Sequence, residues 1–379
     1  MILFLLYVYN TIISFFAFIK PKRPRMKLNP KSHHDQSFTI LIPCHNEESV
    51  IKGTIESIKR SYYSNYNLYV IADNCSDNTI EIAKQLIPEK NILIVNGGSK
   101  PKAINAAVKI LKNTNRWTDD NIVIIDADNR VTPTMLLNFN LYHNYYENSL
   151  LQVKIKSHND KSFIAKGFTS SFNTMSESFQ FARNQLKLSA SLCGTGFSIP
   201  KFIWDEVGFT NCTSLTEDLE FSILCIIKGY KTIFIPEEYI LNQNLNKLKP
   251  SIIQRLRWAR GYMQVSIKLS LKLLKNFFKC PSLQLFDSFI FINTPSKTFI
   301  YLLFNLTYFI FDINFIPKLI IIILFIYNLF FILYCNKFKL RYIVPHLFFS
   351  FCTTFILIAS VFTFKNTKWA KTKHENCDN

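Results

Sequence analysis

Residues 121–128 read Asn-Ile-Val-Ile-Ile-Asp-Ala-Asp. The apolar run is short and β-branched, which predicts a buried strand over Asn121–Asp126 rather than a helix. It stops on two acids one residue apart, Asp126 and Asp128. A strand that delivers a carboxylate pair at its carboxyl end belongs to an α/β sheet, where ligands gather at that end.

Working outward, the same texture recurs from Phe38 to about Pro236. Apolar strands are predicted at Phe38–Pro43, Asn67–Ala72, Asn91–Val95 and Leu151–Lys156. Helical patterns fill the intervals: Glu47–Arg60, Asp77–Leu86, Pro101–Leu111 and Pro133–Tyr146. Within the first, Val50, Ile51, Ile55 and Ile58 share one face. Alternation of this kind reads as βαβ units around a mainly parallel sheet. Polar residues follow the strands: Asn46 and Glu47, Asp73, the stretch Gly97 to Lys102, and the Asp126/Asp128 pair.

The chain has 379 residues, with 49% hydrophobic, 15% aromatic and 18% charged side chains and a formal net charge of +18. These figures exclude disorder, collagen-like sequence and a small disulfide scaffold. The positive charge implies an anionic partner: nucleic acid, an acidic membrane face or a phosphorylated substrate. The nine cysteines are scattered, odd in number and form no C-x-x-C pair. That disfavours a disulfide framework and a thiolate zinc site, and suits reduced thiols in cytosol or lipid. The seven histidines form no H-E-x-x-H pair.

Residues 1–19 are almost uninterruptedly apolar and lead into Lys20, Lys22, Arg23, Arg25 and Lys27. This predicts an N-terminal transmembrane helix with its N-terminus outside and the following chain in the cytosol. From Pro250 to about Lys279 (domain range 250–282) a basic amphipathic pattern sets Ile267, Leu271, Leu274 and Phe278 against Lys268, Lys272, Lys275 and Lys279. It predicts a helix in the membrane interface, with a plain surface helix as the alternative. A membrane region over 283–364 holds candidate spans Thr298–Phe311, Phe315–Cys335 and Ile343–Phe364. Three spans would leave the basic tail 365–379 outside, against the positive-inside rule. One segment, Leu283–Asn293 or Thr298–Phe311, is therefore expected to be interfacial or re-entrant, with the tail cytosolic.

Several motifs carry chemistry, each with a plainer alternative. Asp126 and Asp128 suit Mg²⁺ or Mn²⁺ shared with diphosphate oxygens, or simply cap a turn. Asp73, in Ala72-Asp73-Asn74-Cys75-Ser76-Asp77, suits a nucleobase N–H, or a turn in which Ser76 or Asp77 caps the next helix. Gly97-Gly98-Ser99-Lys100-Pro101-Lys102 suits phosphate at a helix N-terminus, or a solvated loop. It lacks the P-loop pattern. Thr216-Glu217-Asp218 reads by itself as ordinary capping. Cys193-Gly194-Thr195-Gly196-Phe197 is a tight loop where backbone approaches a ligand. Gln254-x-x-Arg257-Trp258 combines an amide, a guanidinium and an indole on one helix, suited to a sugar and a diphosphate or to interface anchoring.

In their order, PCHNEE, ADNCSDNT, GGSKPKAIN, DADN, CGTGF, TED and QRLRW, from about Phe38 to Gln264, resemble the membrane-bound family 2 glycosyltransferases. These are the relatives of cellulose, chitin, hyaluronan and poly-N-acetylglucosamine synthases. The resemblance implies an α/β, Rossmann-like GT-A cytosolic domain (38–249) flanked by transmembrane helices. It places Pro43, His45 and Glu47 in a nucleotide-contact loop, Asp73 on the uracil ring and Lys102 at the basic position before the next helix. It makes Asp126 and Asp128 the metal pair, with Asp128 the direct ligand, Asp218 the general base, and Glu217 beside it an acceptor-binding residue. Gln254, Arg257 and Trp258 bind diphosphate and acceptor sugar, and Gly194, Thr195 and Gly196 lie beside the acceptor end.

The implied reaction is an inverting displacement. Asp218 takes the proton of an acceptor hydroxyl, and a nucleoside diphosphate leaves under the charge of Mg²⁺ or Mn²⁺ and Arg257. The expected function is growth of a β-linked polysaccharide from a UDP-sugar at a plasma or inner membrane. Transfer of one sugar to a membrane lipid acceptor is the alternative. A non-catalytic partner that kept the fold is disfavoured by the intact acids. Nucleic acid is excluded as partner because the basic residues flank apolar spans and form no recognised motif. Membrane lipids are expected partners instead. One departure stands out: relatives often carry an acidic pair where this chain has Asn242 and Gln243.

Overall fold

The structure, a computed structural model, describes residues 2–19, 34–294 and 318–366. Its strands are β1 (Phe38–Cys44), β2 (Tyr66–Asp73), β3 (Ile92–Val95), β4 (Asn121–Ile124), β5 (Asn129–Val131), β6 (Ser149–Ser157), β7 (Phe197–Pro200) and β8 (Lys231–Asn242). The helices are α1 (Ile2–Phe15), α2 (Ile51–Lys59), α3 (Thr79–Lys84), α4 (Lys100–Asn113), α5 (Met135–Tyr145) and α6 (Phe163–Met175). They continue with α7 (Ala182–Gln185), α8 (Lys201–Val207), α9 (Glu217–Ile227), α10 (Leu248–Lys279), α11 (Leu283–Asn293), α12 (Lys318–Cys335) and α13 (Ile343–Thr363). A single π-helical stretch, Ser176–Phe181, joins α6 to α7.

The described residues fall into two units. The first holds the sheet, from residues 34–156 and Lys187–Gln243. The second is helical and takes Met1–Ile19, Ser157–Leu186 and the chain from Asn244. The segment 157–186 lies inside the range expected as one catalytic domain, yet groups with the helices.

The sheet runs β3-β2-β1-β4-β7-β6-β8-β5. β3, β2, β1 and β4 are parallel. β7 then pairs antiparallel with β4 and with β6, and β5 pairs antiparallel with β8. The expectation of a mainly parallel sheet therefore holds for one half only, and the sheet is mixed. β7 is a four-residue strand that returns directly from a glycine turn, and β8 carries Pro236. Neither shows the unbroken apolar run that marks the parallel strands. β1 lies between β2 and β4, and all but Pro43 of its residues are buried. Its pairing with β4 ends at Leu41↔Ile124, so the N–H that Pro43 lacks falls beyond that ladder.

Leu41, Ile71 and Ile124 on one sheet face pack with Ile104 and Ala107 of α4 and with Trp204 and Phe221. Each such buried side chain contributes about 1.5–3 kcal/mol. This core fixes the carboxyl ends of β1, β2 and β4 relative to the start of α4.

In the helical unit, Arg183 and Asp287 form a buried ion pair at 3.0 Å. The Tyr9 hydroxyl donates to Asp287 (2.9 Å), and Arg183 donates to the Asn10 side chain (3.2 Å). The network ties α1, α7 and α11 together. Gly167 of α6 lets Phe349 of α13 approach so closely that a Cβ there would lie 2.0 Å from its ring. On α10, Val265, Leu269 and Leu273 face inward, whereas Ile267, Leu271 and Phe278 are exposed beside the exposed Lys268, Lys272, Lys275 and Lys279. The apolar stripe read from the sequence is thus not the stripe that packs on protein.

Among the described residues one helix, 340–363 with 24 residues, is long and apolar enough to cross a membrane. α1, with 14 residues, spans only ~21 Å at ~1.5 Å per residue, short of a ~30 Å hydrocarbon core. The expected full set of flanking spans is therefore not met by the described helices. Thr298–Phe311, the start of Phe315–Cys335, the basic cluster Lys20–Lys27 and most of the tail 365–379 lie outside the described residues.

Candidate active site

Four loops of the sheet unit meet at the carboxyl end of the parallel strands. The first follows β1. Asn46 there adopts a left-handed conformation (φ 58°), which asparagine tolerates better than most residues. Its side-chain oxygen accepts from the Ser76 N–H at 2.6 Å, and the Glu47 N–H donates to Thr79 Oγ1 at 2.8 Å. His45 Nδ1 meets the Asp73 carbonyl at 2.7 Å. The loop of Pro43, His45 and Glu47 is thus stitched to the loop after β2.

Asp73 ends β2 and is buried. Its Oδ1 accepts from the N–H groups of Gly97 (2.7 Å) and Gly98 (3.2 Å) and from Asn74 Nδ2 (2.8 Å). Local turn chemistry falls to Asp77 instead, whose Oδ1 accepts from the Thr79 N–H and hydroxyl. Gly97 is obligatory, because a Cβ would lie 2.5 Å from the Ala103 nitrogen. Asp73 therefore shapes the glycine loop that leads into α4.

Lys100 opens α4. Its ammonium donates to Asp126 Oδ1 (2.5 Å) and to the Gly194 carbonyl (2.6 Å). Burial lowers its pKa, but Asp126 with Glu217 and Asp218 outweighs this and holds it above the ordinary value. Lys102, the position expected from the motif, is exposed. Two residues along a helix is a turn of about 200°, so the two lysines diverge, and Lys100 is the one that reaches the acids.

The Asp126-Ala127-Asp128 loop is held from three sides. The Thr54 hydroxyl of α2 donates to the Ala127 carbonyl at 2.6 Å. Thr195 Oγ1 accepts from the Asp126 N–H at 3.0 Å. Asp128 Oδ1 accepts from Asn129 Nδ2 at 3.0 Å. The loop Cys193 to Gly196 is braced in turn by the buried Gln152, which accepts from the Cys193 N–H (2.9 Å) and donates to the Thr195 carbonyl (3.0 Å). Gly194 (φ 76°) and Gly196 (φ 65°) take backbone conformations that other residues avoid. A Cβ on Gly194 would lie 3.8 Å from Asp218 Oδ2.

Glu217 and Asp218 occupy the first turn of α9, where the helix dipole favours anions. Thr216 makes no side-chain cap bond. The preceding loop is held by Glu220 instead, fully buried and accepting from the N–H groups of Thr213 (2.9 Å) and Ser214 (2.8 Å). Asp126 and the Gly194 carbonyl thus hold the Lys100 ammonium, and Glu217 and Asp218 act on it electrostatically. Thr195, Gly196 and Asp128 lie on the same loops, and Asp73 sets the Gly97–Gly98 turn just before it. Sequence reasoning missed Lys100, Asn129, Gln152 and Thr54. The only available signal was Lys100 at the first helical position, with Pro101 next to it.

Gln254, Arg257 and Trp258 lie on α10 in the helical unit. The Trp258 indole packs edge-on against Phe168 (6.2 Å) and Phe172 (6.3 Å).

Among the described residues no group of three or more His, Cys, Asp or Glu side chains is placed to hold a metal. The donor set still fits Mg²⁺ or Mn²⁺. Such ions take hard oxygen ligands and bind through one or two carboxylates plus substrate phosphates. Asp126 and Asp128 supply that number.

Carboxylates at the ends of parallel strands, a lysine among them and an acidic helix start form one polar cluster on a mixed α/β sheet. Residues 121–335 match the family described as Glycosyl transferase family group 2. The chain belongs to this family and is a family 2 glycosyltransferase. It is 27% identical over 280 residues to a protein named Probable glycosyltransferase YdaM from Bacillus subtilis (strain 168), over 72% of this chain and 64% of that one. It is 22% identical over 284 residues to the Poly-beta-1,6-N-acetyl-D-glucosamine synthase of Staphylococcus aureus (strain COL), over 73% and 65%. The chain thus spans somewhat under two thirds of the length of these relatives. In fold it resembles the mannosyltransferase PcManGT from Pyrobaculum calidifontis, solved with GDP-Man and Mn2+. The TM-score is 0.61 at 12% identity, covering 96% of this chain and 95% of that one.

Proposed function

We propose that the chain transfers a sugar from a UDP-sugar to a growing β-linked polysaccharide at a membrane, with inversion at the anomeric carbon. The observation that carries this reading is the Lys100 ammonium, held by Asp126 and the Gly194 carbonyl with Glu217 and Asp218 acting on it electrostatically. The lysine and the groups that act on it come from four separate motifs.

In the proposed step an acceptor hydroxyl attacks the anomeric carbon and gives its proton to Asp218. A new C–O bond forms as the bond to the diphosphate breaks, and the electron pair leaves on the diphosphate oxygen. A positioned base matters because a neutral hydroxyl is a poor nucleophile. Asp128, with Asp126 beside it, would hold the divalent cation, which supplies charge neutralisation to the leaving diphosphate. Lys100 keeps Asp126 in place and adds positive charge on the same side. Asp73 holds the Gly97–Gly98 turn and presents a carboxylate to the uracil. Pro43, His45 and Glu47 complete the nucleotide loop, and Gly194 to Gly196 line the acceptor side. The roles of Gln254, Arg257 and Trp258 toward diphosphate and acceptor rest on their motif.

Membrane attachment is supported by the helix 340–363 and by the exposed Ile267, Leu271 and Phe278 of α10 with their flanking lysines. Such a face suits an anionic bilayer surface. This reading sets the sheet unit in the cytosol and the N-terminus outside.

The test is a panel of UDP-sugars given to membranes containing the full chain, with Mg²⁺ or Mn²⁺. One donor is expected to release UDP and yield a ladder of products. A single addition assigns the reaction to a lipid acceptor, and no UDP from any donor contradicts the proposal.

A further inference from the structure

Asn129, the residue after the acidic pair, is fully buried and makes side-chain bonds in three directions. Its Oδ1 accepts from the Thr195 hydroxyl at 2.6 Å, and its Nδ2 donates to Asp128 Oδ1 and to Asn242 Oδ1, both at 3.0 Å. The directions of these bonds follow from one fixed group. The Asp126 N–H can only donate, and it donates to Thr195 Oγ1 at 3.0 Å. The Thr195 hydroxyl must then send its own proton elsewhere, to Asn129 Oδ1. That fixes the oxygen end of the amide and turns the NH₂ toward Asp128 and Asn242. Bonds chained in one sense polarise and strengthen one another.

The second acceptor is placed by the sheet, since Asn242 of β8 stands directly opposite Asn129 of β5.

The geometry points to Asn129 as a positioning residue that, with Thr195, sets the Asp128 carboxylate for a divalent cation and links both acids to the acceptor loop. It touches neither nucleotide nor acceptor in this scheme. The role rests on the reading above that Asp126 and Asp128 hold the cation. Outer hydrogen-bond partners of metal ligands typically contribute about 10–100-fold in metal affinity.

The experiment measures UDP binding to the purified full chain by calorimetry, with and without Mn²⁺, for the wild type, Asn129→Leu and Thr195→Val. Thr195→Val keeps the side-chain volume and removes only the hydroxyl, so it remains informative if Asn129→Leu fails to fold. The expected result is a Mn²⁺-dependent gain in UDP affinity that falls about tenfold in Asn129→Leu and less in Thr195→Val. Metal-free UDP affinity of Asn129→Leu stays within about twofold, and in the double variant Asn129→Leu/Thr195→Val, measured alongside, the Thr195→Val effect disappears. A gain unchanged in Thr195→Val overturns the proposal. So does a parallel loss of metal-free and metal-dependent binding, which is what a merely structural role produces. A wild type that binds UDP with no gain from Mn²⁺ overturns the cation reading itself, and this role with it.

Discussion

The Lys100 ammonium donates to Asp126 Oδ1 at 2.5 Å and to the Gly194 carbonyl at 2.6 Å, bridging segments 26 and 94 residues away along the chain. One side chain therefore couples the glycine loop, the acidic pair and the acceptor loop. Every substitution that disturbs this junction is expected to act on transfer before it acts on the fold.

Lys100→Met removes two charge-assisted hydrogen bonds and a cation on the diphosphate side. At about 2–3 kcal/mol for such bonds, UDP release is expected to fall about 30- to 150-fold. Lys102→Met is expected to stay within about twofold, because that side chain is exposed. Steady-state UDP release on the best donor checks both. Loss at Lys102 with a silent Lys100 would reverse the assignment.

Gly97→Ala forces a Cβ to within 2.5 Å of the Ala103 nitrogen. The backbone must shift, and the two N–H groups move off Asp73. UDP affinity is expected to fall at least about tenfold, the cost of losing one buried bond to a charged group. Gly98→Ala meets nothing within 4 Å but keeps φ at +70°, so it costs only about 1–2 kcal/mol of backbone strain. Titration calorimetry of UDP separates the two. Equal binding by Gly97→Ala and wild type would show that the loop does not depend on Asp73.

Acid stability tests the packing behind the site. His143 is buried against the Ser198 hydroxyl (Nε2···Oγ 2.8 Å), and burial pushes its pKa down to about 3. An unfolded histidine titrates near 6.5. The unfolded chain thus takes up a proton first as pH falls. The contribution of His143 is complete above pH ~6.5 and is lost progressively toward pH ~3. His143→Gln is expected to flatten the acid side of the stability curve, measured as melting temperature by tryptophan fluorescence between pH 7 and 4. Lys100 has the opposite sign. Its pKa is raised, so its stabilising contact persists through neutral pH and is lost only in strong alkali, above the ordinary value of 10.5.

Much of the parallel half of the sheet was legible in the sequence. β1, β2 and β4 are mainly apolar runs that begin and end within two residues of their predicted bounds, because most of their residues are buried whichever face they point to. In the antiparallel half β6 was legible too, predicted at Leu151–Lys156 and found at Ser149–Ser157, but β5, β7 and β8 were not. β5 is three residues, Asn129–Val131, and exists only because β8 passes beside it. Among the expected site residues, Asp73 and Asp126 could be singled out because each ends an apolar strand, whereas Asp218 read by itself as a helix cap and was named only through the family resemblance. Lys100 could not be told from Lys102, since both precede the same apolar pattern and only the helix start decides which one turns inward. Asn129, Gln152 and Thr54 act through partners 41 to 113 residues distant, a relation that no local pattern records. On α10 two apolar stripes share one helix: Ile267, Leu271 and Phe278, read from the sequence as an interface stripe, stay exposed, while Val265, Leu269 and Leu273 pack inward and were not read.

The central claim is that Asp218 is the base at a nucleotide-sugar site built by Asp73, Lys100 and the Asp126/Asp128 pair. Its most direct test compares wild type with Asp218→Asn in one preparation, measuring UDP affinity and UDP release from the best donor. The account predicts UDP affinity within about twofold and release reduced by about 10²–10⁴-fold, the usual contribution of a positioned base. Release that persists near the wild-type rate, or UDP binding lost together with turnover, would contradict it.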